Sequence, residues 1–147
     1  CRVSYELLLC LAKCPLLALD LSQAKLVGES AGLRIRPLLR CRELSLRGVA
    51  CDKRLLTQLL AMPSLVNLEL TGCKSVDLDV FNAVLRLPAI ANLRMAGCTS
   101  VSFDKLALPR LPRHLELLDL MRCPQISRDA LEALEKAHPW CSIGYAR

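Results

Sequence analysis

Residues 65–76 read LVNLELTGCKSV and residues 90–101 read IANLRMAGCTSV, two stretches whose apolar, polar, glycine and cysteine positions coincide. A third stretch, LELLDLMRCPQIS at residues 115–127, keeps the apolar positions and the cysteine. Working outward, the frame apolar-x-x-apolar-x-apolar opens at Leu16, Cys41, Leu65, Ile90, Leu115 and Trp140, at intervals of 25, 24, 25, 25 and 25 residues. Its copies are Leu16-Leu19-Leu21, Cys41-Leu44-Leu46, Leu65-Leu68-Leu70, Ile90-Leu93-Met95, Leu115-Leu118-Leu120 and Trp140-Ile143-Tyr145. Composition alone does not produce so regular a spacing; a fixed period of this length marks a chain of stacked structural repeats.

The fourth and sixth frame positions alternate with polar neighbours, so their side chains share one face of a short strand. Parallel strands cannot be joined by hairpins and need a return segment, which the rest of each period supplies. The expected fold is α/β: a solenoid with parallel strands on its concave face and helices or irregular returns on its convex face. Three returns predict helices. Residues 77–85 place Phe81, Val84 and Leu85 on one face, with Asp77 or Asp79 as the cap. Residues 127–136 have Ser127 as cap, Asp129 in the first turn, and Leu131 and Leu134 inward. Asp52 precedes Leu55, Leu56, Leu59 and Leu60 in the same way. Pro109 and Pro112 forbid a regular helix in the fourth return, and the first, residues 28–37, reads as an irregular loop.

The quoted runs resemble the cysteine-containing subclass of leucine-rich repeats, with Cys73, Cys98 and Cys123 at the ninth position. That subclass is familiar from F-box/leucine-rich-repeat proteins. Short mitochondrial proteins of the ATP synthase factor s and distal-membrane-arm assembly factor kind carry similar repeats. The resemblance runs from about Leu16 to Tyr145; Ala24 and Val49 depart from it at the ninth position, and no F-box is visible. It implies a leucine-rich-repeat domain over 1–147. Residues 1–15 form the helix and loop of a preceding repeat, 16–139 five repeats, and 140–147 a terminal half-repeat.

Hydrophobic residues make up 53% of the chain but aromatics only 3%, so the core must come mainly from Leu, Val, Ile and Ala. The longest apolar stretch, Leu7 to Leu19, is broken by Lys13 and Pro15 and is too short to span a bilayer. The 9 cysteines fall mostly at apolar repeat positions, which favours reduced, buried thiols and a reducing, intracellular compartment, cytoplasm or mitochondrial matrix. Cys10 and Cys14 share a helical face but lack a second pair at zinc-ligand spacing. His114 and His138 precede strands and belong to no Ser-His-Asp or Cys-His-Asp set; His138 could cap the end of the preceding helix. Gly72 and Gly97 serve the tight turn after a strand, and no glycine-rich phosphate loop exists. Neither catalysis nor a cofactor is expected.

Function is therefore sought on the surface. The exposed strand positions give a candidate partner-binding face of Asp20, Glu43, Arg47, Asn67, Glu69, Asn92, Arg94 and Asp119, mixed in sign as protein-recognition surfaces are. Ordinary solvated strand residues would look the same. The net charge of +6 is concentrated in a basic patch of Arg34, Arg36, Arg40, Arg42, Lys53 and Arg54, with Arg47 in the same window. That patch suits an acidic protein surface or an RNA backbone; without interleaved aromatics, protein ranks first. The expected role is a scaffold, either a structural subunit or an assembly factor of a larger complex. The alternatives are the recognition arm of an F-box-type ubiquitin ligase and an RNA-contacting subunit. Residues 5–13 read as a helix whose own strand is missing, so further chain or a bound partner is expected over the amino-terminal edge, while Trp140, Ile143 and Tyr145 are expected to supply a last half-repeat at the other end.

Overall fold

The computed structural model describes residues 2–11, 13–27, 40–50 and 53–145, with the backbone alone at Tyr5, Leu9, Val27, Leu55 and Leu59. Six three-residue strands carry the frame: β2 (Ala18–Asp20), β4 (Glu43–Ser45), β5 (Asn67–Glu69), β6 (Asn92–Arg94), β7 (Leu117–Asp119) and β8 (Ser142–Gly144). They form one open parallel sheet in that order, with β2 and β8 at its edges. The fourth frame positions stand in register, Leu19 beside Leu44, Leu68, Leu93, Leu118 and Ile143 in turn.

Strand pairing continues past each strand into the turn. The sixth-position N–H of Leu46, Leu70, Met95 and Leu120 donates to the next repeat's fifth-position carbonyl, at 2.7–2.8 Å. The eighth position is then left-handed in five copies, with φ of 58° at Gln23, 66° at Gly48, 73° at Gly72, 68° at Gly97 and 56° at Arg122. Glycine adopts this conformation freely; Gln23 and Arg122 adopt it against a steric cost.

The returns cover the sheet's apolar face. Among them are α1 (Tyr5–Leu11), α2 (Lys53–Leu59), α3 (Leu78–Leu85) and α4 (Arg128–Ala137). Asp77 caps α3, accepting from the Val80 N–H at 3.0 Å, and Val80, Phe81, Val84 and Leu85 are buried. Ser127 caps α4 through the Ala130 N–H at 3.2 Å, with Ala130, Leu131 and Leu134 buried. The proposed Asp52 cap and the first return at residues 28–37 lie outside the described residues. Between β6 and β7 the chain forms no helix. Val101, Phe103 and Leu111 anchor it to the core instead, and Phe103 stacks on Phe81 with ring centroids 6.3 Å apart.

His138 ties this irregular return to α4. Its main-chain N–H ends the helix on the Leu134 and Glu135 carbonyls. The ring Nδ1 lies 2.9 Å from the same Leu134 carbonyl, while Nε2 accepts the Leu111 N–H at 3.2 Å. One partner can only accept and the other can only donate, so the imidazole is the neutral Nδ1–H tautomer. Its neighbour Trp140 donates to the Pro112 carbonyl at 3.2 Å and carries the Arg113 guanidinium over its ring at 4.2 Å.

The amino-terminal end corrects one expectation. A strand does precede α1: β1 (Arg2–Ser4) pairs in parallel with β3 (Lys25–Val27) in a separate two-stranded sheet. Three residues, Arg-Val-Ser, are too few to reveal alternation in a sequence, and neither β1 nor β3 was expected. Val3 on β1 is buried. The outer edge of β2 pairs with no strand among the described residues, and Leu17, just before β2, is 63% exposed.

Candidate binding groove

Strand alternation sends the fourth and sixth positions into the core and the third and fifth to the opposite face. There the sheet forms a groove of about 590 Å³ spanning β2 to β7. Its third-position row is Ala18, Glu43, Asn67, Asn92 and Leu117; its fifth-position row is Asp20, Ser45, Glu69 and Arg94. Six of the expected face residues therefore come together: Asp20, Glu43, Asn67, Glu69, Asn92 and Arg94. Arg47 and Asp119 do not line it. Arg47 falls two residues beyond β4, in the turn, and Asp119 holds the Met121 N–H at 2.9 Å. Ala18, Ser45 and Leu117 join the lining, as the frame positions alone would have indicated.

The polar groups of the groove are partly organised by one another. The Asn92 Nδ2 donates to Asn67 Oδ1 at 2.6 Å, and the Ser22 and Ser45 hydroxyls share a 2.6 Å hydrogen bond. Arg94 and Glu69 form a cross-strand ion pair at 3.8 Å. Asp20 accepts the Ser22 N–H at 2.8 Å. Hydrogen bonds from the Ser22 side chain and main chain hold the Asp20 carboxyl below its ordinary pKa, so it stays ionised.

The basic window does not assemble in the same place. Arg42 and Arg47 flank β4, whereas Lys53 and Arg54 open α2 on the return side; all four, and Arg40, are exposed. Lys53 is engaged by α3, its Nζ lying 2.7 Å from Asp77 Oδ2 and 2.9 Å from Asp79 Oδ2. Hydrogen bonds to Asp77 and Asp79 raise the Lys53 pKa. Arg34 and Arg36 lie outside the described residues.

The ninth-position cysteines are buried and unpaired, and each performs a structural task. Cys73 Sγ donates to the Leu46 carbonyl at 2.9 Å, Cys98 to Leu70 at 3.2 Å and Cys123 to Met95 at 3.2 Å. Each of these carbonyls also accepts the ninth-position N–H of its own repeat. The thiol thus links one turn to the next. Burial pushes all three thiols up in pKa, Cys98 to about 12. Cys10 and Cys14 are exposed and unpaired, with Cys14 Sγ 3.6 Å from the Cys10 carbonyl. Among the described residues no group of three or more His, Cys, Asp or Glu side chains could hold a metal ion, and no helix is long and apolar enough to cross a membrane.

No protein-family model matches the chain, and no curated protein matches it.

Proposed function

We propose that the chain is a leucine-rich-repeat solenoid of the cysteine-containing kind. In this reading it works as a non-enzymatic protein-interaction scaffold, a structural subunit or assembly factor of a larger complex. The observation that carries the reading is the groove across β2 to β7, in which four charged side chains of both signs and two amide side chains face outward from the sheet. Such a surface offers hydrogen bonds and charge in a fixed pattern, which is how protein partners are told apart. The period near 25 residues and the thiol links between successive turns support the repeat assignment. The buried, unpaired cysteines fit a reducing compartment.

The experiment is affinity purification of the intact protein beside Glu69→Ala/Arg94→Ala. Exposed strand substitutions change stability by about 0.5 kcal/mol or less, so both proteins should melt together. A stoichiometric protein partner should accompany the parent and be lost from the variant. A partner retained at full occupancy would move the binding site off the groove.

A further inference from the structure

The proposed scaffold reading leaves open what the groove accepts, and its charge distribution narrows the choice. The whole chain carries +6, yet the groove is lined by the carboxylates of Asp20, Glu43 and Glu69 against the single cation Arg94 among the described residues. Glu69 and Arg94 compensate each other at 3.8 Å. Asp20 and Glu43 have no cationic partner among the described residues, so negative charge collects at the β2–β4 end of a cationic protein. Because Ala18 stands opposite Glu43, Asp20 lies diagonally across from it, one strand spacing and two residues away, or about 8 Å between Cα atoms. A guanidinium presents five donors in a planar fork and can serve two carboxylates so placed.

The middle and far end of the groove differ from this. The Asn67–Asn92 bond uses one donor and one acceptor, which leaves Asn67 Nδ2 and Asn92 Oδ1 for a passing main chain. At the far end stands Leu117, half-buried on β7. With strands about 4.8 Å apart, the distance from the Asp20–Glu43 seam to β7 is roughly 17 Å, or about five residues of extended chain.

We infer that the groove seats an extended segment of a partner protein. That segment places an arginine or lysine against Asp20 and Glu43 and, about five residues away, an apolar side chain against Leu117. Its main chain crosses β5 and β6 over the asparagine pair. Specificity then has two parts, charge at one end and burial at the other, with a fixed spacing between them.

The test is selection of random dodecapeptides displayed on phage against the intact protein, followed by fluorescence polarisation with the recovered peptides as synthetic, labelled probes. Peptides carrying Lys or Arg at that spacing from an apolar residue are expected. Asp20→Asn/Glu43→Gln should weaken them by about tenfold or more, as loss of a charge-assisted pair does, with an unchanged melting temperature. Recovery of acidic peptides, of no peptides, or of peptides insensitive to Asp20→Asn/Glu43→Gln would overturn the inference. Peptides insensitive to that change but lost from Glu69→Ala/Arg94→Ala would overturn the charge assignment while sparing the groove. Insensitivity to both variants would overturn the groove as well.

Discussion

At β6, Leu93 stands between Leu68 and Leu118 and is wholly buried; at β2, Leu19 holds the same frame position and is only half-buried. The first frame position repeats the contrast. Leu65, Ile90 and Leu115 are fully buried, whereas Leu16 is not. Identical side chains in an identical frame are thus packed differently because an interior strand has a neighbour on both sides and β2 has one. If the chain is the repeat stack proposed above, much of its stabilisation sits in the interfaces between neighbours. Leu93→Ala should therefore cost about 3–4 kcal/mol and Leu19→Ala about 1 kcal/mol, the difference reflecting how much packing each leucine loses. Urea unfolding of the two variants checks this. Equal costs would show that the β2 edge is as well supported as the interior.

The later repeats are also joined by thiol links that the junction between the first and second repeats lacks. Leu70 O receives both the Cys73 N–H and the Cys98 thiol, while Leu21 O receives the Ala24 N–H and the next repeat has Val49, not a cysteine, at the ninth position. Cys98→Ala removes packing and a hydrogen bond together and should cost about 2 kcal/mol. The thiols also set an alkaline limit. Burial raises Cys98 to about 12 and Cys141 to about 11, above the unfolded value of 9.0. The unfolded chain then releases these protons first. The contribution is fully present below pH 9.0 and is lost as pH climbs toward 12. Thermal melts from neutral to alkaline pH should show that decline, shallower in Cys98→Ala. A pH-independent melting temperature across this range would contradict the burial argument.

A smaller effect separates the turns. Gly97 has φ of 68° and no heavy atom within 4 Å of an added Cβ. Gly97→Ala thus isolates the backbone cost of the left-handed region, about 1–2 kcal/mol. Arg122, at φ 56°, occupies the equivalent position in the next repeat; Arg122→Gly should gain up to about 1 kcal/mol. Calorimetry of the pair should give opposite signs. The same sign would mean that the turn is held by something other than its dihedral.

These turns show where the sequence was legible. The frame leucines declared the parallel sheet, its register and its core because each recurs at the same interval, and the helix caps at Asp77 and Ser127 were local signals. Gln23 and Arg122 were not readable as left-handed residues, since nothing in their chemistry asks for it; only their distance from the frame does. His138 was readable as a helix end, but its bond to Leu111 depends on how an irregular return folds back over 27 residues. The groove was half legible. Alternation identified its rows, but Arg47 left the strand because β4 stops at Ser45, and the removal of Lys53 from the basic patch required knowing that α3 lies beside α2.

That last contact supplies the smallest expected effect, at the seam between the two regions. Lys53 belongs to α2 and its partners Asp77 and Asp79 to α3. Side-chain exposures of 49% for Lys53 and 82% for Asp79 leave the charges well screened, so Lys53→Met should lower stability least of all these changes. Asp77 has a second task, and Asp77→Ala should cost about 1 kcal/mol more through the lost cap on Val80. Partial burial alone would raise the Asp77 carboxyl, but Lys53 and the Val80 N–H hold it below 3.8. Its contribution is present above that value and lost as pH falls through the lower, folded one. Lys53→Met should therefore soften the acid limb of the stability profile. In about 1 M salt the Debye length contracts to roughly 3 Å; the difference between parent and Lys53→Met should then close, while the cap deficit of Asp77→Ala persists. A Lys53→Met deficit that survived high salt would mean that the lysine stem, and not its charge, joins the helices of the two regions.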